Sequence, residues 1–255
     1  MKLSIIVSVL NSHEILRRQL LHFKHMDLPS DVEIILLDDG SYPALVDTIG
    51  VPNLTIQPTG NTHEPGSSTG WTVEIARNMG ARMALGEYLL MTDIDYIIPR
   101  DAVEAGRTLT HDKAGFHREF GVLDVNGNFT QDFAELRRYG LLESRIKERG
   151  TRMPPHPNNF IMRKSTFWQL GGYREDLATR PYPNKGDTYF KRAWAKAYEE
   201  GRVTIQDANL RTTLYMFPNG QFCGDVDYNP FGLFHDLTRK TQENHWYTHP
   251  RYTDD

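Results

Sequence analysis

Hydrophobic and polar positions follow two regimes in turn along the first hundred residues. Leu3–Val9 (LSIIVSV) is a short β-branched run without a charge, the pattern of a strand buried on both faces. Asn11, Ser12, His13 and Glu14 interrupt it. Ile15, Leu16, Leu20 and Phe23 then recur at helical spacing, which predicts an amphipathic helix to about His25 with Ser12 as its cap. Val32–Leu37 predicts a second buried strand, ending at Asp38-Asp39-Gly40-Ser41, and Leu54–Gln57 a short third one. Thr69–Leu85 predicts a helix with a small-residue packing face made by Val73, Ala76, Gly80 and Ala84. Tyr88–Thr92 predicts a fourth strand, ending at Asp93-Ile94-Asp95. Strands alternating with helices call for an α/β fold, a mostly parallel central sheet flanked by helices. In such sheets ligands sit beyond the carboxyl ends of the strands.

The pattern is less regular after residue 100. Asp101–Leu109 predicts a helix, Gly115–Val125 one or two strands around a turn at Asn126-Gly127-Asn128, and Asp132–Arg149 a charged amphipathic helix. Met153–Asn159 holds three prolines and reads as a loop. Phe160–Met162 predicts a short strand and Lys164–Leu170 a helix ending at Gly171-Gly172. Tyr173–Lys185 reads as loop, Asp187–Glu200 as a helix ending at Gly201, and the residues after about Tyr247 as a tail. With no linker between the halves, the expectation is one domain, with a ligand-binding half over 1–100, a second half over 101–246 and a tail over 247–255.

Charge sharpens this picture. The net −4 of the 255 residues is spread unevenly: residues 1–106 hold 7 Lys and Arg against 14 Asp and Glu, residues 107–202 hold 18 against 12, and residues 203–255 hold 4 against 7. That fits an acidic half able to hold a metal, joined to a basic half facing an anionic substrate. The single Cys223 allows no internal disulfide, so a reducing compartment, the cytoplasm, is expected, and this cysteine reads as a small buried hydrophobe. The apolar start is too short for a signal peptide, and no stretch reaches the roughly 18–20 apolar residues of a spanning helix, so no transmembrane anchor is expected.

The candidate chemistry sits at strand ends. Asp38-Asp39, Asp93 and Asp95 fall at the carboxyl edge of a buried sheet, where like charges repel and lose hydration, so a cation or hydrogen-bond donors are needed there. Asp93 and Asp95, two apart in an extended segment, would point the same way and hold Mg²⁺ or Mn²⁺ while leaving positions open for phosphate oxygens. Asp187, at the start of a predicted helix, has its anion stabilised by the helix dipole.

Three segments carry a resemblance: SIIVSVLNSHEILRRQL, IILLDDGS and ARNMGARMALGEYLLMTDID, in that order and at that spacing. Together they resemble the family 2 glycosyltransferases with a GT-A fold, which use nucleoside-diphosphate sugars. NNFIMRKSTFWQLGGYRED is similar, more weakly, to that family's acceptor-side segment. The resemblance implies that Asn11 lines a nucleotide pocket, Asp39 contacts base or ribose, Arg77 and Asn78 lie near the donor, Asp93 approaches ribose or metal, and Asp95 binds metal through the diphosphate. It implies that Asp187 is the catalytic base of an inverting transfer, with Asp176 as fallback, and that His235 completes the metal shell. Two positions depart from the pattern. Val9 stands where the family often has proline, and Gly186 stands where it usually has a glutamate before the aspartate.

The implied partners are a nucleotide-sugar donor, a UDP-sugar by preference, and a glycan acceptor. A nucleic acid with a hydroxylated base is the other acceptor to weigh, because Arg137, Arg138, Arg145, Lys147, Arg149, Arg152, Arg163 and Lys164 would track phosphates. Trp71, Trp168 and Trp246 are candidates for stacking on a sugar or base. Two rival readings stand beside this one: a sugar nucleotidyltransferase, whose glycine-rich basic phosphate loop is missing from SVLNSHE, and a catalytically silent carbohydrate- or nucleic-acid-binding module.

Overall fold

The computed structural model of the chain describes residues 1–61, 72–139, 141, 150–153, 155–177, 186–206 and 212–218. A seven-stranded sheet organises it. In spatial order the strands are β12 (Ile205–Gln206), β6 (Lys113–Gly115), β11 (Phe160–Arg163), β4 (Tyr88–Asp93), β1 (Leu3–Val9), β2 (Val32–Asp38) and β3 (Leu54–Pro58). β4, β1, β2 and β3 pair parallel, and β11 alone runs against its neighbours β4 and β6.

The alternation of side chains along these strands builds two hydrophobic layers. Ile5, Val7, Ile34, Leu36 and Leu90 face one way, toward α1 (His13–Met26) and α3 (Arg100–Thr108). Ile6, Ile35, Leu37, Leu89 and Met91 face the other way, joined by Phe160, Met162, Phe167, Tyr173 and Phe190. α2 (Val73–Met83) covers this second face through Ala76, Gly80, Ala81 and Ala84. A Cβ at Gly80 would lie 2.6 Å from Ile6 Cγ2 and 2.8 Å from Leu37 Cδ2, so the missing side chain is what lets the helix lie close to the sheet. Burial on both faces is why the strands read as unbroken apolar runs.

A smaller sheet of β10 (Arg152–Met153), β7 (His117–Phe120), β13 (Thr213–Met216) and β5 (Tyr96–Ile97) adjoins the first, with a hairpin of β8 (Val122–Leu123) and β9 (Phe129–Thr130). The remaining helices are α4 (Phe133–Arg138), α5 (Lys164–Gln169) and α6 (Gly186–Glu199), with a 3₁₀ turn at Glu175–Leu177. No described helix is long and apolar enough to cross a membrane.

Several expectations need correction. Ser12 precedes α1 but makes no capping bond; its hydroxyl donates back to Leu10 O at 2.9 Å, an alternative its short side chain always has. The helix expected over Asp132–Arg149 is described only as α4, capped by Asp132 and ended at Tyr139; 140 and 142–149 lie outside the described residues. The helix expected over Thr69–Leu85 runs from Val73 to Met83, with 69–71 outside the described residues. Asp93 and Asp95 do not share one extended segment, because β4 ends at Asp93 and Ile94-Asp95 turn the chain into β5. Among the basic side chains weighed for phosphate contact, Arg138 pairs with Glu135, Arg152 lies 3.8 Å from Glu119, Arg163 pairs with Glu87 and lies 3.6 Å from Asp112, and Lys164 donates to Ala84 O.

Candidate active site

Strand register gathers the acids. Parallel pairing sets Val9 opposite Asp38 and Ser8 opposite Asp93, so the carboxyl ends of β2 and β4 flank the end of β1. The chain leaves β1 through Asn11, whose φ of +50° suits the left-handed tolerance of asparagine. Asn11 N–H donates to Ser41 Oγ at 2.9 Å and its Oδ1 accepts from Tyr42 N–H at 2.8 Å, tying the two loops together. Asp38 is the clasp of its own turn, accepting from Ser41 N–H at 2.8 Å and Leu45 N–H at 2.9 Å.

Asp39 is buried at the centre of this rim. Its Oδ1 accepts from the hydroxyls of Thr59 at 2.9 Å and Thr72 at 2.6 Å, and its Oδ2 from Thr72 N–H at 2.6 Å. The carboxylate thereby joins the ends of β2 and β3 to the start of α2.

α2 supplies the next group. Glu74, Arg77, Asn78 and Ala81 are buried at spacings of three and four, one face of the helix. Arg77 is 1% exposed and bonds Asp93, which is 18% exposed. Its guanidinium also lies over the Tyr173 ring at 5.4 Å and donates to the Tyr173 hydroxyl at 3.4 Å. Burial works against its charge, but Asp93, then Tyr173, Glu74 and Asp187, outweigh that and hold its proton affinity above the usual arginine value. Burial likewise pushes the Tyr173 hydroxyl up to about 12, against the pull of Arg77.

Asn78 is a structural clasp. Its Nδ2 donates to Tyr173 O at 2.8 Å and Glu175 Oε1 at 2.9 Å, and its Oδ1 accepts from Tyr173 N–H at 2.9 Å. Both ends of the amide are thus bonded to the Tyr173–Glu175 segment. A Cβ at Gly172, whose φ is +64°, would sit 2.9 Å from Asn78 Oδ1, so glycine allows this approach.

Asp187 is the second residue of α6, with Oδ1 accepting from Thr188 N–H at 2.6 Å. Its charge acts on Arg77, Tyr173, Glu74 and His156, which puts the start of α6 beside the Arg77–Asp93 pair. His156 comes from the proline-bearing loop before β11. Burial holds its imidazole below the usual range, and Asp93 opposes this in part, with Arg118 and Arg77 adding to the depression. Asp176, the alternative base, is gripped by Arg174 at 3.0 and 2.6 Å and belongs to its own turn. Trp168 packs edge-on against Phe167 with Arg82 over its ring at 5.4 Å, a core and surface role.

Asp93 and Asp95 offer the hard oxygen donors that Mg²⁺ and Mn²⁺ take. Asp93 uses Oδ1 for Arg77, which leaves Oδ2, and Asp95 follows in the turn whose carbonyl accepts from Phe217 N–H at 3.0 Å. Among the described residues no three His, Cys, Asp or Glu side chains gather into a ligand set. His235, Cys223, Trp71, Trp246 and Arg145, Lys147 and Arg149 lie outside the described residues.

Glu74, His156 and Tyr173 were not singled out by the pattern of the sequence. The signal for Glu74 was present: it stands three before Arg77 and four before Asn78, on the stripe that ends in Ala81.

The architecture is a GT-A-like α/β fold. No protein-family model and no curated protein matches the chain. Among solved structures it is similar to TarS 1-349 from S. aureus, at 20% identity and a TM-score of 0.52, over 85% of this chain and 60% of that one. The same protein in complex with UDP-GlcNAc gives 20% identity and a TM-score of 0.50, over 84% and 58%. The mannosyltransferase PcManGT from Pyrobaculum calidifontis, in complex with GDP-Man and Mn²⁺, gives 18% and 0.49, over 85% and 56%. The chain thus spans about 60% of the length of the TarS structure it matches.

Proposed function

We propose that this chain is a glycosyltransferase that moves a sugar from a nucleoside diphosphate, a UDP-sugar, onto an acceptor hydroxyl with inversion. The observation that carries the reading is the gathering of Asp39, the Arg77–Asp93 pair, Asp95 and the α6 start with Asp187 at the carboxyl end of the parallel strands. Residues 1–100 form the donor half and 101–246 the acceptor half. In this reading Asn11 and Asp39 line the nucleotide end, Arg77 orients Asp93 through their ion pair, and Asp93 and Asp95 would hold Mg²⁺ or Mn²⁺, with His235 as its third protein ligand. The cation, when bound, neutralises charge developing on the departing diphosphate. Asp187 accepts the proton of the attacking hydroxyl as the new bond to the anomeric carbon forms and the bond to the diphosphate breaks on the opposite face.

The acceptor in this reading is a glycan, with a nucleic acid carrying a hydroxylated base as the alternative. The test is a thermal-shift panel of UDP, GDP and their sugars with and without Mn²⁺, followed by assay of nucleotide release. A ligand that binds the native state raises the midpoint, and a UDP-sugar with Mn²⁺ is expected to do so. A chain that responds to no nucleotide and releases none from its sugars would remove this reading.

A further inference from the structure

Glu74 has no part in the transfer described above, yet it is a buried carboxylate beside the site. It is 1% exposed. Its Oε1 accepts from the N–H of Gly186, the first residue of α6, at 3.1 Å, and its Oε2 is buried with no hydrogen-bond partner among the described residues. A buried acceptor left unpaired is unfavourable, and more so when charged. A side chain that only filled space would avoid this; leucine or methionine would pack here with no orphan oxygen.

Position 186 is matched to it. A Cβ at Gly186 would lie 2.3 Å from Glu74 Cγ and 2.4 Å from Glu74 Oε1, so a side chain at 186 and the Glu74 side chain in its present position exclude each other. One carboxylate therefore fills the space that side chains at both positions would claim. It lies against the positive end of a 14-residue helix, within reach of the charges of Arg77 and Asp187. Burial pushes its carboxyl up; Arg77 and the Gly186 N–H oppose that, and Asp187 adds to it.

Resting on the glycosyl-transfer reading for its chemistry, we propose that Glu74 is a positioning residue for Asp187, fixing the first turn of α6 through Gly186 so that the next carboxylate stands at the acceptor side of the site. What the site needs is a side-chain hydrogen-bond acceptor in that volume, whichever of the two positions supplies it. Exchanging the two side chains then restores what removing one destroys.

The experiment compares the full chain with E74A, E74Q and E74A/G186E by two measurements. Amide hydrogen exchange of the first turn of α6 needs no nucleotide. Release of UDP from UDP-GlcNAc with Mn²⁺ gives kcat and KM. E74A is expected to exchange about tenfold faster at Gly186–Tyr189 with the central sheet unchanged. It is expected to lose about 100-fold in kcat with KM within about twofold. E74Q keeps an acceptor for Gly186 and stays within about threefold of the parent in both measurements. E74A/G186E recovers at least about tenfold of the lost kcat together with the exchange protection. Unchanged exchange at the start of α6 in E74A, loosening of the whole sheet, or a double variant no better than the single would each overturn the proposal. Should E74A not fold, an E74Q chain as unprotected at α6 as a denatured one would do the same. A parent chain inactive on UDP-GlcNAc would refute that donor, and the exchange data would still decide the anchoring of α6.

Discussion

Replacing Arg77 by methionine is the most informative stability perturbation, because the arginine is buried, charged and bonded to a single acid. Met is two bonds shorter but fills the path of the arginine's aliphatic stem, so the lost volume is confined to the place of the guanidinium. Breaking a buried ion pair by removing one partner costs about 3–5 kcal/mol, since it leaves a desolvated charge behind. Asp93 keeps 18% of its surface in solvent, which puts the expected loss near the lower end, about 3 kcal/mol. Loss of the guanidinium from over the Tyr173 ring adds about 1 kcal/mol. Arg77 Nε is buried without a partner in the native state, and relief of that returns about 1 kcal/mol. The net expectation is roughly 3 kcal/mol, or about 6–12 °C in Tm for a domain of this size. Urea unfolding of Arg77→Met, Asp93→Asn and the double variant measures it. The double variant carries no stranded charge and is expected to be at least about 1 kcal/mol more stable than Arg77→Met alone. A single variant within about 1 kcal/mol of the parent, or a double variant no more stable than the single, would refute the claim that this pair is bound by charge compensation in a dry site.

Three further predictions follow from other parts of the molecule. Gly80→Ala raises helix propensity by about 1 kcal/mol, yet its Cβ meets Ile6 and Leu37 below 3 Å, so a net loss of about 1–2 kcal/mol is expected in chemical denaturation; a stabilised variant would disprove the close packing of α2. Asp95→Ala is expected to abolish Mn²⁺-dependent nucleotide release, whereas Asp187→Asn lowers kcat about 100-fold with donor binding by calorimetry nearly unchanged; normal turnover in the latter would remove Asp187 as base. Lys113 is buried between Phe160 and Trp194, and burial, with Lys191, depresses its ammonium to about 8. The native state therefore binds fewer protons than the unfolded chain between about pH 8 and pH 10.5, and stability due to this group rises with pH across that window. The parent is expected to gain on Lys113→Met by on the order of 3 kcal/mol between pH 7 and pH 10.5, and a flat difference would show that Lys113 titrates normally.

Much of the first hundred residues was legible because their strands are buried on both faces. Leu3–Val9 and Val32–Leu37 contain no competing pattern, and the helix over Val73–Met83 announces itself by small residues at helical spacing. The rest of the chain was less legible. Its strands are two to four residues long, and their pairing, such as β13 between β7 and β5, depends on partners far away in the chain. Ser12 and the Asp93–Asp95 turn misled local rules, because short polar side chains choose among several backbone partners and the tertiary contacts decide which.

The sequence by itself determined the layered α/β fold, the parallel order of the first strands and the presence of acids at their ends, because periodicity and burial are local properties of the chain. Only the tertiary structure decided what those acids do. It paired Asp93 with Arg77, turned Asn78 into a clasp for Tyr173, and set Glu74 in the space that Gly186 leaves open. Charge compensation and close packing act between residues that are neighbours in space, and spacing along the chain does not encode which ones will meet.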